Sequence, residues 1–181
     1  MNVVQPIRDI TKLEQVKAWF AQRPPRDNLL FLVGIHTGLR ISDILRLRVD
    51  DVKDGPHIVL REKKTRKRRF IPINDELAHN FRQYCKGRHS SEYLLQSREG
   101  INQPLTTSMA YRIMREAAAA CGLKHIGTHT LRKTFGYHLY QQTKDAQLVC
   151  QWLGHSDPAI TERYIGINQD TMDRAIRNFR I

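Results

Sequence analysis

Apolar residues recur at helical spacing along most of the chain, and only one short stretch reads as a pair of strands. Leu13, Val16, Trp19 and Phe20 share one helical face, just after Thr11-Lys12-Leu13-Glu14, which has the form of a capping box. NLLFLVGIHTG (28–38) has the length of a buried helix ending at Gly38, and ISDILRLRVDDV predicts a short helix running into an extended segment. HIVLRE (57–62) and RFIPI (69–73) read as strands rich in β-branched residues, with the basic KKTRKR between them as a hairpin tip. Asn74 then caps a helix with Leu77, Phe81 and Tyr84 on one face. YLLQSREG predicts a short extended piece and loop, and TTSMAYRIMREAAAAC (106–121) is helical by propensity.

Beyond Gly122 the pattern is helical throughout, in GTHTLRKTFGYHLYQQ, in DAQLVCQWLGH and in DPAITERYIG, where Asp157 is an N-cap and Pro158 a first helical residue. The last segment places Met172, Ala175, Ile176 and Phe179 at i, i+3, i+4 and i+7, a narrow apolar stripe on a polar helix. These elements predict a mainly α (α+β) fold, many helices with one small antiparallel sheet of three strands, and no internal repeat.

A length of 181 residues and 40% hydrophobic content suit one domain with a real core. Charge changes the picture most. Thirty Lys and Arg against 18 Asp and Glu give a net +12, which points to a polyanionic partner, nucleic acid before an anionic membrane. No stretch approaches the ~20 apolar residues of a membrane span, and the first residues lack the apolar core of a signal peptide. A cytoplasmic protein is expected. Cys85, Cys121 and Cys150 are scattered, with no CxxC pair, and read as reduced small hydrophobes. Neither a zinc spacing, a Walker loop nor GxGxxG occurs.

Several residues could carry chemistry. His129 and Arg132 lie three apart on a helix and share a face; an arginine there offers a planar fork to phosphate oxygens, or is simply part of a solvated basic face. Arg40 follows Gly38-Leu39 between two apolar helices, so its charge needs a partner. Asp43 is the available one, either as a plain salt bridge or to aim Arg40 at a bound anion. REKKTRKRRF (61–70) holds seven basic residues and one acidic, a backbone-binding patch or a solvated tip. Tyr164, nine positions after His155, would by itself be a packed tyrosine with a hydrogen-bonded hydroxyl.

Taken in order, GLRISDIL (38–45), Lys64-Thr65 ahead of Ile71-Pro72, HTLRKTF (129–135), LGH (153–155) and Tyr164 resemble the tyrosine recombinases, or phage integrase family, over residues 10–181. The resemblance implies that Arg40 and Arg132 clamp the non-bridging oxygens of a scissile phosphate, and that His155 adds a hydrogen bond to one of them. It implies that His129 helps remove the proton of Tyr164, the nucleophile, and that Lys64 protonates the leaving 5′-oxygen. Asp43 matches the acidic position that supports the first arginine. Lys63 and Lys67 compete with Lys64, which is preferred for its spacing to Ile71-Pro72. Lys63, Arg66, Lys67, Arg68 and Lys133 are further expected to bind DNA.

Chemistry supports this set. A tyrosine hydroxyl with an ordinary pKa of ~10 needs a base or positive field to attack. Arginines and histidine are fixed donors for equatorial phosphate charge, and the leaving alkoxide benefits from an acid. The bond energy is kept as a phosphotyrosine, so neither ATP, a metal nor another cofactor is required.

The expected organisation is an N-terminal extension (1–10), a catalytic domain (11–168) and a C-terminal helix or tail (169–181), with no N-terminal core-binding domain. That tail docks on a neighbouring protomer or folds back on its own domain. Expected partners are double-stranded DNA, further copies of the chain in a tetramer on DNA, and an accessory DNA-binding protein, at the nucleoid. Type IB topoisomerase-like relaxation and a non-catalytic DNA-binding regulator are the competing functions.

Overall fold

The computed structural model describes residues 4–53, 55–64 and 66–180. Its first helix, α1 (Ile10–Ala21), starts where Asp9 accepts the Lys12 N–H at 3.1 Å. Thr11 is therefore not the cap. A carboxylate two positions upstream satisfies the first free N–H groups, leaving Thr11 inside the first turn. Helix α2 (Pro25–Thr37) opens on a proline whose missing N–H costs nothing there, and it closes at Gly38 with φ 62°. Leu29, Leu30, Phe31, Leu32 and Val33 are all buried, as a helix apolar all round requires. The single turns α3 (Ile41–Ile44) and α4 (Asp50–Lys53) lead into β1 (His57–Arg61) and β2 (Arg68–Pro72), an antiparallel pair with Ile58 opposite Ile71 on the core side.

The sheet has two strands, not three. The segment expected to extend it divides its hydrogen bonds between two neighbours. Leu94 N–H donates to Leu47 O, and Leu95 O accepts from Leu105 N–H, each at 2.7 Å. Only isolated bridges result, Arg48 to Tyr93 and Gln96 to Pro104, and proline has no N–H to carry a ladder on.

Helices α5 (Asp75–Cys85, capped by Asn74) and α6 (Thr107–Ala120, capped by Thr106) complete the main core. The C-terminal third is α7 (Thr128–Thr143), α8 (Ala146–Leu153), α9 (Pro158–Ile165) and α10 (Ile167–Asn178). Val149, Leu153, Ile165 and Ile167 form a second, smaller core there, against which Tyr164, Phe135 and Trp152 pack.

Small residues set how closely these parts meet. A Cβ on Gly34 would stand 2.5 Å from Leu131 Cδ1, so α2 approaches α7 only because that position is glycine. Gly136 does the same for α7 against α9, where a Cβ would meet Ile165 Cγ2 at 2.9 Å. Residues just past the end of α2 are thereby held against residues on the first turns of α7.

Met172 and Ile176 on α10, and Phe179 just past its end, are exposed. The expectations at Thr65 and at the Ala175 side chain, and the first three residues of the N-terminal extension, lie outside the described residues. No helix among the described residues is long and apolar enough to cross a membrane.

Candidate active site

Arg132 sits on the second turn of α7 and is 3% exposed, so it is not part of a solvated basic face. Its two terminal nitrogens are spoken for by carbonyls at helix ends. Nη1 donates to Gly38 O at 2.6 Å, and Nη2 donates to Leu153 O. Both carbonyls belong to the last free groups of α2 and α8, where the helix dipole favours a cation. Burial, more than any neighbour, brings the Arg132 guanidinium down to about 10, with Tyr164 opposing that shift and Arg40 reinforcing it. The side chain is still a cation at neutral pH.

Tyr164 lies two turns into α9, half-buried on the small core. Its hydroxyl oxygen is 3.4 Å from His129 Nδ1, and its ring meets that of His155 edge to face, centroids 5.0 Å apart. Burial pushes its pKa up, while Arg132, by charge and hydrogen bonding, and then Arg40 pull it down. The phenol is protonated at neutral pH and faces cations that would stabilise its anion.

Both histidines are held neutral. His129 is lowered by burial first, then by Arg132, Lys133 and Arg40. His155 is lowered to about 4, again by burial first and then by Arg132, Arg40 and Lys64. His155 Nδ1 is 2.9 Å from Thr161 Oγ1, on the first turn of α9, and that hydroxyl also lies 3.4 Å from Asp157 O. With the hydroxyl proton on the shorter contact, to Nδ1, the neutral ring keeps N–H on Nε2 and has a donor to offer an anion.

Arg40 is partnered differently from expectation. Its Nη1 lies 3.1 Å from Glu62 Oε1, whereas Asp43 accepts the Lys63 backbone N–H at 2.8 Å. The acidic residue inside the basic run thus turns back to the core, 3% exposed, while Asp43 anchors the hairpin. Glu62 takes the place expected of Asp43 because the hairpin folds over α3, which no local spacing reveals. Thr161 and Glu62 are the site residues that sequence reasoning missed. The only signal for Glu62 was a lone carboxylate among seven basic residues.

Lys64 is exposed on the hairpin, close enough for its charge to act on His155. Lys63, Arg66, Lys67 and Arg68 are exposed beside it. Lys133 is not a surface residue. It is 9% exposed and its Nζ stands 4.8 Å from the centroid of the Tyr164 ring. Arg40, His129, Arg132, His155 and Tyr164 therefore converge, with Lys64 on an arm beside them. A half-buried phenol, a neutral imidazole in reach of its proton and two guanidiniums can bind a phosphodiester and attack it.

These features gather a tyrosine, two histidines and two arginines at one place in the fold. The phage integrase family model matches residues 9–170, and the chain belongs to that family, the tyrosine recombinases. It is 49% identical over 179 residues to YoeC of Bacillus subtilis (strain 168), named a probable integrase/recombinase, covering 99% of this chain and 98% of that one. It is 32% identical over 168 residues to the tyrosine recombinase XerA of Thermococcus kodakarensis, covering 90% of this chain and 59% of the relative. The chain spans about half to three fifths of the XerA and XerD relatives it matches. The fold is that of the XerA recombinase crystal structure (TM-score 0.78, 21% identity, 99% of this chain and 66% of that one). It also matches XerH bound to its difH substrate before cleavage (TM-score 0.73, 22% identity, 86% and 49%).

Proposed function

We propose that the chain is the catalytic part of a site-specific DNA recombinase that cleaves and rejoins strands through a 3′-phosphotyrosine. The observation that carries this is the placement of Tyr164 Oη 3.4 Å from a neutral His129 and within the field of Arg132 and Arg40. Arg40 and Arg132 hold the non-bridging oxygens of the scissile phosphate, and His155 Nε2–H donates to one of them. His129 takes the phenolic proton as Tyr164 Oη forms the new P–O bond. The bond from phosphorus to the 5′-oxygen breaks, and Lys64 supplies the proton that the leaving oxygen requires. The reverse reaction with a different 5′-hydroxyl joins new strands.

Double-stranded DNA is the partner, supported by the net charge of +12 and by solved relatives bound to DNA. Assembly into a tetramer on DNA is supported by the exposed Met172 and Ile176 of α10 and Phe179 just past it, which read as a surface that docks on a neighbouring protomer. Asp43 serves the reaction by anchoring the hairpin that carries Lys64.

Covalent trapping tests the reading. Nicked duplexes of randomised sequence are mixed with the protein, denatured in detergent and examined for an adduct. Wild type should form one and Tyr164→Phe should not, although it still shifts DNA in a native gel. An adduct with both proteins would place the nucleophile elsewhere. Topoisomerase-like activity would instead appear as relaxation of any supercoiled plasmid by a monomer.

A further inference from the structure

Glu62 is the last residue before the basic tip of the hairpin, and its side chain points inward. Oε1 accepts a hydrogen bond from Arg69 Nη1 at 3.0 Å and lies 3.1 Å from Arg40 Nη1. The two contacts are unlike. Arg69 donates along its N–H direction, whereas the buried Nη1 of Arg40 has no aligned acceptor among the described residues. Arg40 is thus charge-compensated by Glu62 without spending that donor on it. A half-buried guanidinium with a neutralising carboxylate and an unused N–H is prepared for a second anion.

The backbone around Glu62 is fixed as firmly. Its N–H donates to Lys67 O and its C=O accepts from Arg66 N–H, each at 3.0 Å, closing the tip. The next N–H, that of Lys63, is taken by Asp43. Two carboxylates therefore join the hairpin to the turn after α2, one from each side. Without Glu62, Arg40 would face Arg132 and Arg69 with no counter-charge, and repulsion would favour swinging it toward solvent.

Resting on the phosphotyrosine reading above, we propose that Glu62 is a positioning residue for the reaction: from the hairpin, it sets the Arg40 guanidinium against the scissile phosphate. Substrate binding then turns the unaligned Arg40 N–H onto a phosphate oxygen, while Arg69 keeps Glu62 in place.

The test compares three duplexes made on a sequence captured by trapping. One has the ordinary scissile phosphate. One has a methylphosphonate there, which removes the oxygen charge that an arginine would neutralise. One has sulfur as the 5′-bridging atom, which leaves without a proton. On the ordinary duplex Glu62→Gln should slow adduct formation about 100-fold, the size of a misplaced catalytic group, with non-covalent DNA binding unchanged. The defect should shrink about tenfold or more on the methylphosphonate and persist on the bridging sulfur. A defect equal on all three duplexes, or no defect at all, overturns the proposal; so does a repair by sulfur, which would put the effect on Lys64. Should Glu62→Gln fail to fold, Glu62→Asp, with its charge kept and its reach shortened, carries the same comparison. No wild-type adduct on any duplex would instead sink the phosphotyrosine reading, and this one with it.

Discussion

His129 Nδ1 and Tyr164 Oη stand 3.4 Å apart although 35 residues separate them in the chain. The histidine is neutral at neutral pH and the phenol is protonated, which is the pairing a base and its target require. The consequence is a pH dependence with a definite sign. His129 accepts a proton only above its pKa, which burial lowers from the ordinary 6.5. Adduct formation should rise with pH through a midpoint below 6.5 and be level at neutrality. His129→Gln should lose that acid limb and slow the single-turnover rate by ~10²–10⁴. An unchanged limb in the variant would assign it to another group.

Gly38 serves Arg132 through its backbone. Its φ is 62°, its carbonyl accepts from Arg132 Nη1, and a Cβ would meet Phe135 Cδ1 at 2.4 Å. Gly38→Ala should cost about 2 kcal/mol or more, from left-handed strain and the clash together, read as a lower urea midpoint. Cleavage should fall further than stability does, because the carbonyl that aims Arg132 moves.

His155 links the site to acid stability. The unfolded chain binds a proton near pH 6.5, whereas folded His155 resists it down to about 4. Between those values the unfolded state holds more protons, so stability falls as pH is lowered from 6.5 toward 4. His155→Gln removes that group from the linkage and can still reach Thr161. Urea unfolding at pH 7 and pH 5 should show a smaller loss in the variant than in wild type, and an equal loss would contradict the shift.

Lys133 and Arg66 separate two kinds of basic residue. Buried Lys133 lies over the Tyr164 ring, and Arg66 is exposed on the hairpin with φ 61°. Arg66→Ala should weaken DNA binding and lower the slope of log affinity against log salt by about 1, with cleavage at saturating DNA kept. Lys133→Met should leave the salt slope alone and slow cleavage about tenfold, in line with a cation–π contact of about 1–2 kcal/mol. The opposite pattern would make Lys133 a DNA contact.

Local physics made most of the elements readable in advance. Asn74 and Asp157 cap their helices, Gly38 ends α2, and two strands flank a basic tip, because a cap, a left-handed glycine and β-branched side chains act within a few residues. The third strand failed because pairing depends on which neighbour arrives. Residues 93–97 found two partial partners where a strand needs one continuous one.

By itself, the sequence determined a basic, mainly helical chain whose ordered motifs name Arg40, Lys64, His129, Arg132, His155 and Tyr164. Tertiary structure alone decided which charges meet. Glu62 rather than Asp43 faces Arg40, Asp43 holds the Lys63 backbone, and Lys133 lies against the tyrosine ring. Spacing along a helix or strand reports which residues share a face. Burial and the partner of a charge depend on what packs against that face: here the hairpin folded over α3, and the helices that Gly34 and Gly136 allow to come close.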